Sequence, residues 1–337
     1  MNTTVKATIN GIILYCDESV NKLNIGNSYK IEKKYLDEIS YKDRLVDNRG
    51  ILLPQYIGSQ RQDDHGIYFM CIHKEDEYEI DISKMYEPNK RISTDDLLFK
   101  DQLYAYKEKE ISYLYRKISL LRLFKEGNIG FYELFIIHNF KLMGLINQKL
   151  DQTDHSLTKN IVDGTFFTLS DTEAAKCNTF IQNVTDKEYD LMKENIKVFM
   201  EGVEQQIDST KLEKYTTVLN MTLLKNNEDT IKAAIAKRTA VLLETDTTKI
   251  FELYNKMIFF YKSRSASTHE GNYNAITKSD LEEYEQIVRR VLIKYLGFCR
   301  NEISNNPSTT WNEIREKKAY DLKIVVTTAI SRNILPA

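Results

Sequence analysis

Ile250-Phe-Glu-Leu-Tyr-Asn-Lys-Met-Ile-Phe-Phe-Tyr261-Lys-Ser-Arg264-Ser-Ala-Ser-Thr-His269-Glu-Gly271 is the stretch on which the reading of this chain turns. Ile250, Tyr254, Met257, Ile258 and Tyr261 recur with the period of an amphipathic helix. They predict a helix from about Thr248 to Thr268, stopped near Gly271. Its last turns are polar and hold Arg264 and His269 with four residues between them. Arg264 carries a permanent charge, and His269 exchanges a proton near neutral pH. Together they are a minimal kit for cutting a phosphodiester without a metal. Alone, the pair is weak evidence, because Arg and His often fall at this spacing by chance, and the plainer reading is an arginine favouring the helix dipole and a polar histidine at a cap.

Outward from this stretch the C-terminal two thirds read as helices. Ser170 with Glu173, Thr185 with Glu188, Thr210 with Glu213, Ser279 with Glu282 and Thr310 with Glu313 have the capping-box spacing. In that box a hydroxyl and a carboxylate satisfy free N–H groups of the first turn. Apolar stripes follow: Tyr189, Met192, Ile196, Phe199 and Val203; Leu212, Tyr215, Leu219 and Leu223; Ile231, Ile235, Arg238 and Leu242; Leu281, Tyr284, Val288, Val291, Leu292 and Tyr295. Stripes of this kind are bundle core. Upstream, Leu103, Tyr106, Glu110, Tyr113 and Leu114 begin a helix. Gly127-Asn-Ile-Gly130 breaks it, and a second helix is expected from Phe131 to about Leu150.

Residues 1 to about 90 read as short strands. Val5, Ala7 and Ile9 alternate before Ile12-Ile-Leu-Tyr15, and Ile51–Ile57, Gly66–Ile72 and Glu77–Ile82 follow. Pro88-Asn-Lys-Arg-Ile-Ser-Thr-Asp marks a boundary. The expected class is α+β and predominantly α: a β-rich domain at 1–95, then an antiparallel helical bundle at 96–337. For 337 residues, a prior of roughly 150 per domain agrees with two. Only 12 Gly and 4 Pro leave little room for long linkers.

Net charge is −2, so any nucleic acid must be held by a local patch or a composite groove rather than a global field. Cys16, Cys71, Cys177 and Cys299 are far apart and match no zinc spacing, which predicts reduced, buried thiols. His65 and His155 read as solvated loop residues, and His73 and His138 as structural ones. No metal and no cofactor is expected, since there is no phosphate-cradling glycine loop or zinc-protease motif. The N-terminus lacks the pattern of a signal peptide, and Phe131–Ile146, carrying Glu133, His138, Asn139 and Lys141, is too polar to span a bilayer. Asn183-Val-Thr185 matches a glycosylation sequon that a cytoplasmic chain does not use.

Four features occur together: Lys237-Arg-Thr-Ala-Val-Leu-Leu243; the helix ending in Phe260-Tyr-Lys-Ser-Arg-Ser-Ala-Ser-Thr-His-Glu-Gly271; a short polar loop; and Leu281-Glu-Glu-Tyr-Glu-Gln-Ile-Val-Arg-Arg-Val-Leu-Ile-Lys-Tyr-Leu296. The set resembles the C-terminal half of a HEPN domain of the ApeA-like branch. Leu120-Leu-Arg-Leu-Phe-Lys-Glu-Gly-Asn-Ile129 also resembles a stretch of that family. The resemblance is carried by residues 225–300 and extends back to about 115. The chain departs from the pattern at Ser265, where HEPN nucleases often carry Asn although Ser also occurs in this branch, at Ala266-Ser267-Thr268, which is more polar than usual, and at Glu270, which separates His269 from Gly271.

The resemblance implies a HEPN bundle with its core at about 170–300, and a metal-independent endoribonuclease working as a homodimer with a composite active site. His269 is then general base or acid and Arg264 the phosphate clamp for attack by the RNA 2′-hydroxyl. Ser265 and Thr268 bind phosphate or fix the imidazole, Glu270 tunes His269 or lies in solvent, Lys262 joins the RNA-binding set, and Tyr261 stacks on a base or belongs to the core. The family context implies cytoplasmic antiviral defence by abortive infection, a toxin-like activity switched on by a phage-derived or cellular trigger, with transfer RNA as one substrate class. An inactive HEPN binding module that pairs with a protein or nucleic acid is the alternative, and a purely structural assembly protein is a third reading.

Overall fold

A computed structural model describes residues 2–82, 97–142, 145–152, 165–225, 231–269 and 276–336; the side chains at 97–100, 142, 145, 152 and 265–269 lie outside that description. The fold is α+β and mostly α-helical. It divides into two compact units, Met1–Asn183 and Val184–Ala337.

The first unit is built on an antiparallel sheet of β1 (Asn2–Leu14), β2 (Lys30–Tyr35), β3 (Arg61–Asp63), β4 (Gly66–Asp81), β5 (Gly130–Leu142) and β6 (Leu145–Gln152). The order is β2-β4-β1-β5-β6, with β3 beside β4. Central β1 pairs on both sides, Val5 lying opposite Tyr78 of β4 and Phe140 of β5. Adjacent Ile12 and Ile13 are both buried, because this part of the sheet is covered on two faces. Ile12, Leu14, Phe69, Cys71 and Phe135 pack with Ile39, Leu45 and Tyr56. On the other face Ile13, Ile72 and Phe131 meet Leu114, Ile118 and Leu121 of α2 (Leu97–Phe124). Further along, Val5, Ile80 and Phe140 meet Leu103 of the same helix.

The helix expected from Phe131 to Leu150 is instead the hairpin of β5 and β6, with Leu142 opposite Leu145. Strands covered on both faces lose the alternation that marks a half-buried strand, so an apolar run does not distinguish strand from helix. The aromatic and β-branched residues Phe131, Tyr132, Phe135, Ile136, Ile137 and Phe140 favour the pleated surface. This hairpin extends the sheet, so the boundary expected at 95/96 falls at 183/184 and the first unit also holds α2 and α3 (Asp171–Asn183). Ile51–Ile57 is not a strand either: Pro54 opens the one-turn helix α1 (Pro54–Ile57), where its missing N–H costs nothing. The two strands expected at Gly66–Ile72 and Glu77–Ile82 are one, β4, and β2 is a strand that period alone did not suggest.

The stripe of α2 that faces the sheet carries an acid. Glu110 is fully buried and accepts from Lys74 Nζ at 3.0 Å, Tyr29 Oη at 2.7 Å and Asn27 Nδ2 at 3.2 Å. Lys74 is 3% exposed and also contacts Asp76 at 2.8 Å, to which Tyr106 donates at 3.0 Å. Between α2 and β5, Gly127 adopts φ +139°, and a Cβ there would lie 2.8 Å from the Phe167 Cα. Gly127→Ala is therefore expected to lower stability by about 1–3 kcal/mol from backbone strain, with the clash added. Urea denaturation followed by circular dichroism measures it.

The second unit is a helical bundle: α4 (Asp186–Val203), α5 (Asp208–Leu223), α6 (Ile231–Leu243), α7 (Thr247–His269), α8 (Lys278–Asn305) and α9 (Trp311–Ser331). Phe199 meets Tyr215 while Asn195 meets Thr222, so α4 and α5 run antiparallel. Glu188 meets Arg300 while Arg289 lies over Phe199, so α4 and α8 do too. The stripes expected on α4, α5 and α8 are buried as read. On α6, Ile231 is 43% exposed, while Ile235 and Arg238 are buried.

Capping boxes form at Thr185 and Thr310, and Ser170 exchanges the same pair of bonds with Glu173. Two expected boxes do not form. Helix α8 starts two residues earlier than Ser279 predicts, capped by Thr277 with Asp280, and α5 starts after Ile207 without a side-chain cap. Ser-x-x-Glu spacing recurs inside helices, and which copy caps depends on where the chain turns.

Candidate functional site

The C-terminal half of α7 is the segment that carries the expected site. This helix packs on α5 and α6. Its buried stripe is Ile250, Leu253, Met257, Phe260 and Tyr261, with Tyr254 and Ile258 only half-buried. The stripe is thus rotated from the one predicted, because Phe260 stacks on Tyr284 of α8 at 4.4 Å and sets the inward direction. The next position along it is Arg264. The arginine that the sequence singles out therefore continues the packed face of the helix and is half-buried, its Nε enclosed.

Two phenols lie near Arg264, Tyr261 one turn back on α7 and Tyr284 on α8. Tyr261, 8% exposed, donates from Oη to Asn220 Oδ1 of α5 at 2.9 Å. Tyr284 Oη lies 3.1 Å from Thr216 Oγ1, whose own proton goes to the Leu212 carbonyl at 2.8 Å, so Tyr284 is the donor. Burial raises the pKa of both phenols, and the nearby Arg264 charge pulls each the other way. Ser263 is buried and Lys262 exposed. Asn220 and Thr216 were not singled out from the sequence, and Tyr284 was read only as bundle core, because each lies on another helix and carries no local signal of its neighbour.

Helix α7 continues through His269, so positions 264 and 269 lie about 140° apart round its axis. Along one chain they do not share a helix face. The side chains of Ser265, Thr268 and His269, and all of Glu270, lie outside the described residues.

Beside this segment the bundle carries a second polar layer. Tyr215 Oη donates to Glu285 Oε2 at 2.7 Å, Arg289 donates to Glu285 Oε1 at 2.5 Å, and the Arg289 guanidinium sits 5.6 Å from the Phe199 ring. Arg238 donates to the Leu223 carbonyl at 2.7 Å, Arg290 pairs with Glu244 at 2.6 Å, and Arg300 with Glu188 at 2.9 Å. These cations hold helices together, in contrast to exposed Lys262.

The other sequence candidates take structural places. His65 lies edge-on to Tyr35 and its backbone N–H donates to Asp63 at 2.8 Å. His73 Nδ1 is 2.9 Å from Asn10 Oδ1. His155 lies outside the described residues. His138 is fully enclosed, with Nδ1 3.0 Å from Tyr78 Oη and Nε2 3.4 Å from Asp151. The four cysteines are free and buried, and burial raises every thiol, Cys71, Cys177 and Cys299 to about 12. Among the described residues no group of histidine, cysteine and carboxylate has the arrangement of a metal site. Thr185 of the sequon is spent as the α4 cap.

His138 has a consequence for stability. Burial holds its imidazole below the ordinary value, against the upward pull of Asp151. The unfolded chain then binds a proton more readily than the folded one. Stability is fully present above the unfolded pKa of about 6.5 and is lost as pH falls from there toward the folded value. The urea midpoint of the wild type is expected to drop across that window, and His138→Leu to flatten the drop.

Comparison of the chain with protein-family models, with curated proteins and with solved structures gave no match.

Proposed function

We propose that the second unit is a HEPN-type bundle and that the protein is a metal-independent endoribonuclease acting as a homodimer. The observation that carries this reading is the end of α7: a half-buried arginine near Tyr261 and Tyr284, with His269 in the helix's last turn. A guanidinium set in packed surroundings is pre-organised to clamp a phosphate and offset charge in the transition state. An imidazole near neutrality takes the 2′-hydroxyl proton, or returns one to the leaving 5′-oxygen, for about 10²–10⁴ in rate. The 2′-oxygen attacks phosphorus, the P–O5′ bond breaks, and a 2′,3′-cyclic phosphate remains.

The angle of about 140° between the two positions favours a composite site. A two-fold pair of α7 helices sets the arginine of one copy near the histidine of its partner. Such a groove also concentrates positive charge in a chain whose net charge is −2. Ser265, Thr268 and Lys262 belong to the phosphate-binding set and Glu270 to the tuning of His269. Tyr261 acts by packing rather than by stacking on a base, being buried and bonded to Asn220. The setting is cytoplasmic defence, with transfer RNA as a substrate class and a phage-derived or cellular trigger. No described helix is long and apolar enough to cross a membrane.

One observation favours the non-catalytic reading: Arg264 lies on the packed stripe, where it serves the bundle whether or not RNA is cut. Incubation of the purified chain with transfer RNA and total RNA in chelator separates the two. The nuclease is expected to leave cyclic-phosphate ends without metal, and intact RNA under every trigger supplied overturns it.

A further inference from the structure

We propose that β6 is a self-pairing sheet edge through which the first unit joins a second copy of this chain. Among the described residues the sheet ends in β2 on one side and β6 on the other. An edge strand presents a row of backbone donors and acceptors, which proteins usually guard with charge. The β2 edge is guarded: Lys30-Ile-Glu-Lys-Lys-Tyr35 has four charges in six residues. The β6 edge is not. Its open face shows Ile146, 78% exposed, Gln148, and Leu150, 42% exposed. Its two charged side chains are committed within the first unit, Lys149 to Asp151 at 3.2 Å and Asp151 to His138 at 3.4 Å.

The strand is complementary to itself. Side chains alternate between faces, so antiparallel pairing of two β6 strands about Gln148 keeps each face together. In that register Ile146 lies opposite Leu150 of the second copy, and Leu150 opposite its Ile146. Asn147 meets Lys149, and Gln148 meets Gln148 on the two-fold axis. No like charges face each other. Moving the axis by one residue to Lys149 sets two lysines opposite each other, a destabilising pair. Among two-fold registers within β6, the one about Gln148 sets both exposed apolar side chains against apolar partners, which favours an identical partner in the isologous arrangement of a two-fold interface.

This interface does not depend on the nuclease reading, since it involves the first unit only. The register gives a direct test. Gln148→Cys places two thiols at directly opposed positions, whereas Ile146→Cys faces Leu150 and not itself. The native cysteines are buried and do not compete. Mild oxidation of the full chain is expected to link Gln148→Cys into a covalent dimer and to leave Ile146→Cys monomeric on a non-reducing gel. Mixing Ile146→Cys with Leu150→Cys is expected to restore the link. Ile146→Lys with Leu150→Lys should lower the sedimenting mass by one association step while the circular dichroism spectrum stays unchanged. Failure of Gln148→Cys to link above the level of Ile146→Cys overturns the proposal, as does a sedimenting mass unaffected by the two lysines. RNA cleavage by these variants reports on α7 separately, so either idea fails without the other.

Discussion

Replacing His269 by alanine is expected to reduce RNA cleavage by about 10²–10⁴ while leaving the thermal unfolding curve in place. The imidazole is the only group in the proposed site whose ordinary pKa lies near neutrality, so its loss removes proton transfer itself. Arg264 is a less clean target, because it occupies the packed stripe beside Tyr261 and Tyr284, and truncating it disturbs the bundle along with the chemistry. Arg264→Lys retains charge and most of the volume but loses the bidentate fork, so it is expected to impair cleavage with little change in folding. A composite site predicts something further. Mixed dimers of Arg264→Lys and His269→Ala contain one intact arginine–histidine pair among two sites, so an equal mixture should recover about a quarter of wild-type activity through two-fold pairing. Cleavage of labelled RNA under single-turnover conditions measures each case. Normal cutting by His269→Ala excludes the mechanism, and no recovery in the mixture excludes the shared site.

Glu110→Ala is expected to cost about 3–5 kcal/mol, the largest stability effect foreseen in the first unit. The substitution leaves Lys74, 3% exposed, with one carboxylate instead of two, and it leaves Tyr29 Oη without the acceptor it now reaches at 2.7 Å. The cost is that of a buried charge losing its partner rather than the net worth of the pair. Glu110→Leu combined with Lys74→Met should therefore recover much of the loss. Guanidinium denaturation of the wild type, Glu110→Leu, Lys74→Met and the double variant closes the cycle, and additive losses in the double variant would show that the two side chains do not interact.

How much of this was legible beforehand depended on where each signal resides. The stripes of α4, α5 and α8 were read correctly because a 3.6-residue period with one buried face is written into consecutive residues. The cap at Thr185 was legible for the same reason, since its four residues contain the whole interaction. The β5–β6 hairpin was misread as helix, because a strand covered on two faces has no period to display. The domain boundary moved with it, from 95 to 183. In the second unit the error was one of rotation. Tyr254 and Ile258 fit the apolar pattern as well as Leu253 and Phe260 do, and only the stack of Phe260 on Tyr284 decides which face is inward.

The sequence alone determined that this chain is an α+β protein rich in capped amphipathic helices, and that one helix ends in an arginine and a histidine separated by four residues. Both follow from local chemistry, in which period, cap and side-chain type act within a few residues. The tertiary structure alone decided that Arg264 continues the packed face of α7 near Tyr261 and Tyr284, and that the helix runs on through His269, turning the two positions apart. It also decided that β6 is an edge. These depend on which helices and strands become neighbours, a matter of long-range burial that no window of sequence contains.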